Sequence, residues 1–137
     1  MKEDSCTEFK EQYSKKLLKA AVAFANTEGG SIYLGIKDDG DVIGVADPDG
    51  DIRNVTQHIL DSIRPDMATI LNSSFIDVDS KTVIKFDISE GSSKPYYLRE
   101  KGLRPEGVYV RAGAMNVPAS EDLILKPKLR ILGNMSL

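Results

Sequence analysis

The sequence predicts an α/β (α+β) domain in which about three helices pack on a mixed, largely antiparallel sheet. Three observations predict it. Two segments space their apolar residues by three or four, as amphipathic helices do. Short runs rich in Val, Ile, Tyr and Phe lie between and after them, joined by tight turn signals that make hairpins rather than the long crossovers of a doubly wound parallel sheet. The chain has 137 residues, 41% apolar and 28% charged, which suits one domain, residues 1–137, with a single core.

The elements follow in the order β-α-β-β-α-β-β-β-β-α. Thr7-Glu8-Phe9-Lys10-Glu11 is a short edge strand. Tyr13, Leu17, Ala20, Ala21 and Phe24 share one helix face, with Ser14 as N-cap and Lys15, Lys16 and Lys19 largely off that face. Asn26-Thr27-Glu28-Gly29-Gly30 closes the helix, since Asn and Gly readily take the left-handed backbone. Ser31 to Ile36 is a mostly apolar central strand, Asp38-Asp39-Gly40-Asp41 a turn, and Val42 to Val45 the returning partner strand. Asp47-Pro48-Asp49-Gly50 reads as a loop. Asp51 then caps a second helix with the stripe Ile52, Val55, Ile59 and Ile63, broken at Arg64-Pro65. Phe75 to Val78 and Thr82 to Ile88 form a hairpin around Asp79-Ser80-Lys81. Tyr96 to Leu98 and Val108 to Arg111 are further short strands. Ser120 starts a last helix, which Pro127 interrupts. The segment Lys126 to Leu137 ends without a cap, as in a domain cut from a longer chain.

Composition excludes several classes. The lone cysteine, Cys6, cannot make an internal disulfide and has no zinc-ligand spacing. No apolar run reaches the ~18 residues of a membrane span, and Met1 to Asp4 is unlike a signal peptide. The expectation is a soluble, cytoplasmic domain without a membrane partner. With 18 Lys and Arg against 21 Asp and Glu, net charge −3, no global basic field attracts phosphate. Local clusters do exist: Lys15, Lys16 and Lys19, and Lys126, Lys128 and Arg130. Solvated surface lysines are the simpler account of both.

Gly29, Gly30 and Gly35 invite comparison with phosphate loops, and the comparison fails. A Walker A loop or Rossmann turn leads from glycines into a helix, whereas here a strand follows. The glycines read as turn and packing geometry. The single histidine, His58, has no motif around it and reads as a surface or packing residue. Glu3, Glu8 and Asp38 with Asp39 are acidic residues on neighbouring predicted strand ends. Such oxygen donors suit a hard divalent ion that activates water, although acidic turn formers explain them on residue type alone. Tyr96, Tyr97 and Tyr109 with Arg111 offer stacking and a cation on adjacent short strands, or simply the finish of a core.

Four segments resemble the Schlafen AlbA-2 domain, in order and over nearly the whole chain. They are Glu3 to Lys10, Phe24 to Gly40, Lys94-Pro95-Tyr96-Tyr97, and Gly107 to Gly113. The second segment is the most specific. The resemblance implies an α/β fold with a mixed sheet and a nucleic-acid role, since the domain is often described as the DNA-binding part of bacterial transcriptional regulators. There it stands N-terminal to ATPase-like and winged-helix segments, so further domains of the same chain are implied partners. In eukaryotic Schlafens, paired copies form an RNA-cleaving clamp that uses three acidic residues. Matched to this sequence these are Glu3, Glu8 and Asp38, as catalytic and metal-holding residues with Mg²⁺ or Mn²⁺. A single copy would need a homodimer to make a clamp. The cysteine and histidine set of the eukaryotic zinc site is not in this sequence.

The leading expectation is therefore a DNA- or RNA-binding domain of a bacterial regulator. Lys10, Lys15, Lys19, Lys94 and Arg111 would contact phosphates, and Tyr96 and Tyr109 would stack on bases. The rivals are a metal-dependent endoribonuclease built on Glu3, Glu8 and Asp38, and an effector-sensing or dimerisation module.

Overall fold

A computed structural model describes residues 2–125. It is a mixed α+β arrangement in the order β1 (Thr7–Lys10), α1 (Lys15–Asn26), β2 (Gly30–Leu34), α2 (Pro48–Ser62), β3 (Ile63–Arg64), β4 (Leu71–Val78), β5 (Lys81–Ile88), β6 (Tyr97–Leu98), β7 (Tyr109–Ala112), β8 (Met115–Pro118) and α3 (Glu121–Leu125). The main sheet runs β1-β2-β5-β4, with β1 parallel to β2 and the other pairs antiparallel. Two small ribbons, β3-β6 and β7-β8, stand apart from it.

The α1 helix is the hub of this arrangement. Ser14 caps it, its hydroxyl accepting from the Lys16 N–H, which satisfies a donor that the first turn leaves free. From Leu17 onward every residue except Lys19 is buried, far more than one stripe. One face meets the sheet through Ile32, Leu34, Ile84, Phe86 and Ile88, and the helix also packs on β7. A helix that is apolar nearly all round has to be enclosed. A smaller cluster of Phe9, Ile36, Val42 and Val83 covers part of the other sheet face, so β5 sends Val83 one way and Ile84, Phe86 and Ile88 between the layers. This is the alternation of faces that an extended strand imposes.

At Gly30 the backbone passes so close to its neighbours that a Cβ there would lie 2.5 Å from the Phe24 ring and 2.8 Å from the Cys6 carbonyl oxygen. The second glycine of the pair is thus required by close approach, which is how α1 turns straight into β2 with β1 beside it. The β4–β5 hairpin turns on Asp79 and Ser80, both with positive φ (52° and 64°), the backbone of the tight turns that suit twisted strands.

Several sequence expectations need correction. Val42 to Val45 is not a strand: beyond one isolated bridge between Ile36 and Val42, the segment folds back, and the Ile43 and Gly44 N–H groups both donate to the Gly35 carbonyl. Gly35 at φ +109° bends the chain out of the ladder, and β2 pairs with β5 and β1 instead. The second helix is capped by Asp47 rather than Asp51, with Pro48 at its start, so the apparent loop Asp47–Gly50 is its first turn. Tyr97–Leu98 pairs with Ile63–Arg64, while the strand holding Tyr109 and Arg111 pairs with Met115–Pro118, an unforeseen strand. The tyrosine segments are therefore not neighbours in one sheet. The Lys126, Lys128, Arg130 cluster and the break at Pro127 lie outside the described residues.

Candidate nucleic-acid interface

The parallel pairing of β1 with β2 sets Glu8 opposite Ile32 and Lys10 opposite Leu34, and the Gly35 N–H donates to the Lys10 carbonyl. The acidic turn after β2 is thereby brought alongside β1. Glu3, Glu8 and Asp38 share one electrostatic neighbourhood. Burial raises the Glu3 carboxyl above its ordinary value, against the lowering bond from the Phe9 N–H, and the charges of Glu8 and Asp38 raise it further. Glu8 moves the other way. Its burial alone would raise it, but bonds from Lys10 and Arg111 outweigh that and hold it below the ordinary range.

This neighbourhood does not fit a divalent ion. Both Glu8 oxygens already face cations, Oε2 accepting from Lys10 Nζ at 2.6 Å and Oε1 from Arg111 Nη1. One Glu3 oxygen, Oε2, already accepts from the Phe9 N–H at 2.9 Å. Among the described residues, no three His, Cys, Asp or Glu side chains come together in a way that would hold a metal ion.

Arg111 is the centre of what these residues build. Its side chain is only 2% exposed. Besides Glu8 it donates to Asn116 Oδ1 at 2.8 Å and to the carbonyls of Asp4 and Thr7 at 2.7 and 2.9 Å. The guanidinium also lies over the Phe24 ring, 4.8 Å from its centroid, a cation–π contact. With Nη1 and Nη2 committed inward and Nε buried without a hydrogen-bond partner among the described residues, it is not presented to phosphate. Asn26 does the equivalent at the end of α1. Fully buried, its amide donates to the carbonyls of Tyr96 and Tyr109 at 3.0 and 2.9 Å and accepts from the Tyr96 N–H at 2.7 Å. Through this one side chain the helix satisfies three backbone groups of segments about 70 and 83 residues away.

The expected nucleic-acid contacts therefore divide. Tyr96, Tyr109 and Lys94 are buried, Lys94 with its ammonium 2.6 Å from Glu90. The Lys10 side chain is 15% exposed and paired with Glu8. Lys15 and Lys19 remain available. Lys15 is 81% exposed, in a long 3.5 Å ion pair with Glu100, and the Lys19 ammonium lies over the Tyr109 ring, 5.4 Å from its centroid.

Both lysines open onto a cleft of about 720 Å³ between α1, α2 and the segment that follows β6. Arg99 and Lys101 of that segment also line it, so its lining holds four cations and two carboxylates, Glu100 and Glu106. On another side Tyr13 and His58 stack with ring centroids 4.4 Å apart and planes 14° from parallel. Arg99, Lys101, Tyr13 and His58 were not expected at a site. The sequence signal for the first two is the charged run Arg99-Glu100-Lys101 before Gly102, but nothing local shows that this loop faces α1. His58, read as a surface or packing residue, is both exposed and stacked.

A mixed sheet with an enclosed helical hub, two short ribbons and two further helices defines a small α+β module rather than a doubly wound nucleotide-binding fold. The chain belongs to the Schlafen AlbA_2 family, whose description, "Schlafen, AlbA_2", matches residues 3–120. Among solved structures it is similar to the DIP2311 protein from Corynebacterium diphtheriae, at 21% identity and TM-score 0.65, over 84% of this chain. The chain spans 25% of that protein's length, and the likeness is one of fold. It is also similar to the N-terminal domain of a "putative ATP-dependent DNA helicase RecG-related protein" from Nitrosomonas europaea, at 26% identity and TM-score 0.58, over 80% of this chain and 78% of that one. No curated protein shows a significant match. Among the described residues, no helix is long and apolar enough to cross a membrane.

Proposed function

We propose that this domain binds nucleic acid, and that its contact surface is the cationic cleft beside α1. The observation that carries the reading is the convergence of Lys15, Lys19, Arg99 and Lys101 on one concavity of a chain whose net charge is −3. A local cationic concavity on an acidic chain is an electrostatic footprint for phosphate, not a by-product of composition. Membership of the Schlafen AlbA_2 family and likeness to a domain described in DNA-helicase terms support the same reading. A place in a bacterial transcriptional regulator, joined to further domains of the same chain, is part of this proposal.

The test is a titration of labelled oligonucleotides followed by anisotropy at several salt concentrations. Affinity should fall as salt rises, with a log–log slope of about −0.7 to −0.9 for each phosphate neutralised. Arg99→Ala combined with Lys101→Ala should weaken binding and flatten that slope, while Arg111 makes no direct contribution to it. Absence of binding to any DNA or RNA at low salt would sink the reading.

A further inference from the structure

The cleft holds more than charge. Tyr13 precedes the N-cap of α1, His58 is exposed on α2, and their near-parallel rings form one side of the concavity. Leu18, Leu98 and Pro105 line the same cleft and add apolar surface to it, alongside the four cations. A concavity with aromatic and apolar walls and charged groups on its rim is the usual form of a ligand site, and about 720 Å³ lies within the range that such sites span.

We infer that this cleft receives an unpaired nucleotide: the base enters against the Tyr13–His58 side and the flanking phosphates meet Lys15, Lys19, Arg99 and Lys101. The inference rests on the nucleic-acid reading above and narrows it to one form of ligand. Two features favour an unpaired nucleotide over duplex. Duplex DNA offers phosphates on a convex surface and keeps its base faces stacked, so it can meet the rim cations but cannot use an aromatic wall inside a concavity. An unpaired base can, because every base has a π-face to lay on an aromatic or apolar surface. The cations also come from two elements that border the cleft, Lys15 and Lys19 from α1 and Arg99 and Lys101 from the segment after β6, so more than one phosphate of a strand can be met.

The experiment compares a labelled oligo(dT), an oligo(U) and a duplex of equal length, at one salt concentration, with the intact protein and three variants. The single strands should bind at least about fivefold tighter than the duplex, as one stacked base is worth a kcal/mol or more. His58→Ala, an exposed substitution, should remove most of that preference while leaving duplex binding nearly unchanged. Arg99→Ala should weaken single strand and duplex alike. Lys16→Ala, a cation of the same helix outside the cleft, should change neither by more than about twofold, the effect of one distant screened charge. The oligo(dT) and oligo(U) arms tell DNA from RNA. Equal binding of strand and duplex, or a His58→Ala protein that keeps the full preference, would overturn the inference while leaving nucleic-acid binding intact. Binding to neither would overturn both.

Discussion

The two ends of α1 treat polar residues in opposite ways. At its C-terminal end, Asn26 and the neighbouring Arg111 are enclosed, and their hydrogen bonds are given to backbone carbonyls, to Glu8 and to Asn116. At its N-terminal end, Lys15 and Lys19 stand over an open cleft, one of them loosely paired and 81% exposed. The first end is a fastening and the second is a surface. The difference matters because residue type alone points the other way: an Arg beside two tyrosines looks like a nucleic-acid contact, and helix lysines look like ordinary solubilising charge.

The fastening also explains why four separate segments carry the family resemblance. Arg111, in the last of them, bonds the first through Asp4, Thr7 and Glu8 and stacks on Phe24 of the second. Asn26, in the second, bonds Tyr96 of the third and Tyr109 of the fourth. Two side chains thus join all four. The resemblance describes an architecture first, and its acidic residues include one, Glu8, that is the counter-ion of the buried arginine.

Substitutions can break the contrast between the two ends, beginning with the largest effect. Arg111→Met should cost about 3–5 kcal/mol, because it takes the guanidinium from the buried Glu8 carboxylate, leaving it Lys10 as its cation, and removes one donor each from Asn116 and the Asp4 and Thr7 carbonyls. Urea denaturation measures it, and Arg111→Lys should recover little, since an ammonium cannot reproduce the planar fork. Asn26→Ala should cost about 2–3 kcal/mol by stranding the Tyr96 N–H and two carbonyls. Gly30→Ala should cost about 1–3 kcal/mol, the range for overpacking, as Phe24 is displaced.

The two buried-side carboxyls give smaller effects of opposite sign. Glu8 is lowered from its unfolded value of 4.5, so its contribution is present above about that pH and is lost as pH falls through its folded value. Stability should therefore drop below pH 4.5, and less steeply in Glu8→Gln. Glu3 is raised from 4.5, so its folded state is favoured most below that pH and the advantage is lost as pH rises through the folded value. Glu3→Gln, which can still accept from the Phe9 N–H, should then melt slightly higher than the parent at pH 7 and equally at pH 4. A melting curve at the two pH values checks both. Lys15→Ala should be the smallest of all in stability, within about 0.5 kcal/mol, as exposed ion pairs contribute little.

Much of the fold was legible because local rules acted without competition. The Ser14 cap, the α1 stripe and the Asp79–Ser80 hairpin all follow from nearest-neighbour chemistry. The misreadings came where distant contacts decided. Val42–Val45 has strand residues, but Gly35 and Gly44 turn the backbone out of the ladder. Tyr109 and Arg111 have the right residue types for a surface, yet β8 and α1 enclose them. Of the cleft's lining, Lys15, Lys19 and Tyr109 could be named from sequence. Arg99, Lys101, Tyr13 and His58 join them through packing of α1 on α2 and of the following loop, which no local pattern encodes.

The contrast between the two ends predicts that binding and stability can be separated, and one measurement asks this directly. Oligonucleotide affinity and its salt slope should be compared for the parent and for the Arg99→Ala, Lys101→Ala double variant, with melting temperature measured on the same samples. The cleft account predicts weaker binding, a flatter slope by about one to two phosphates' worth, and an unchanged melting temperature. Unchanged affinity and slope in a folded double variant would contradict it.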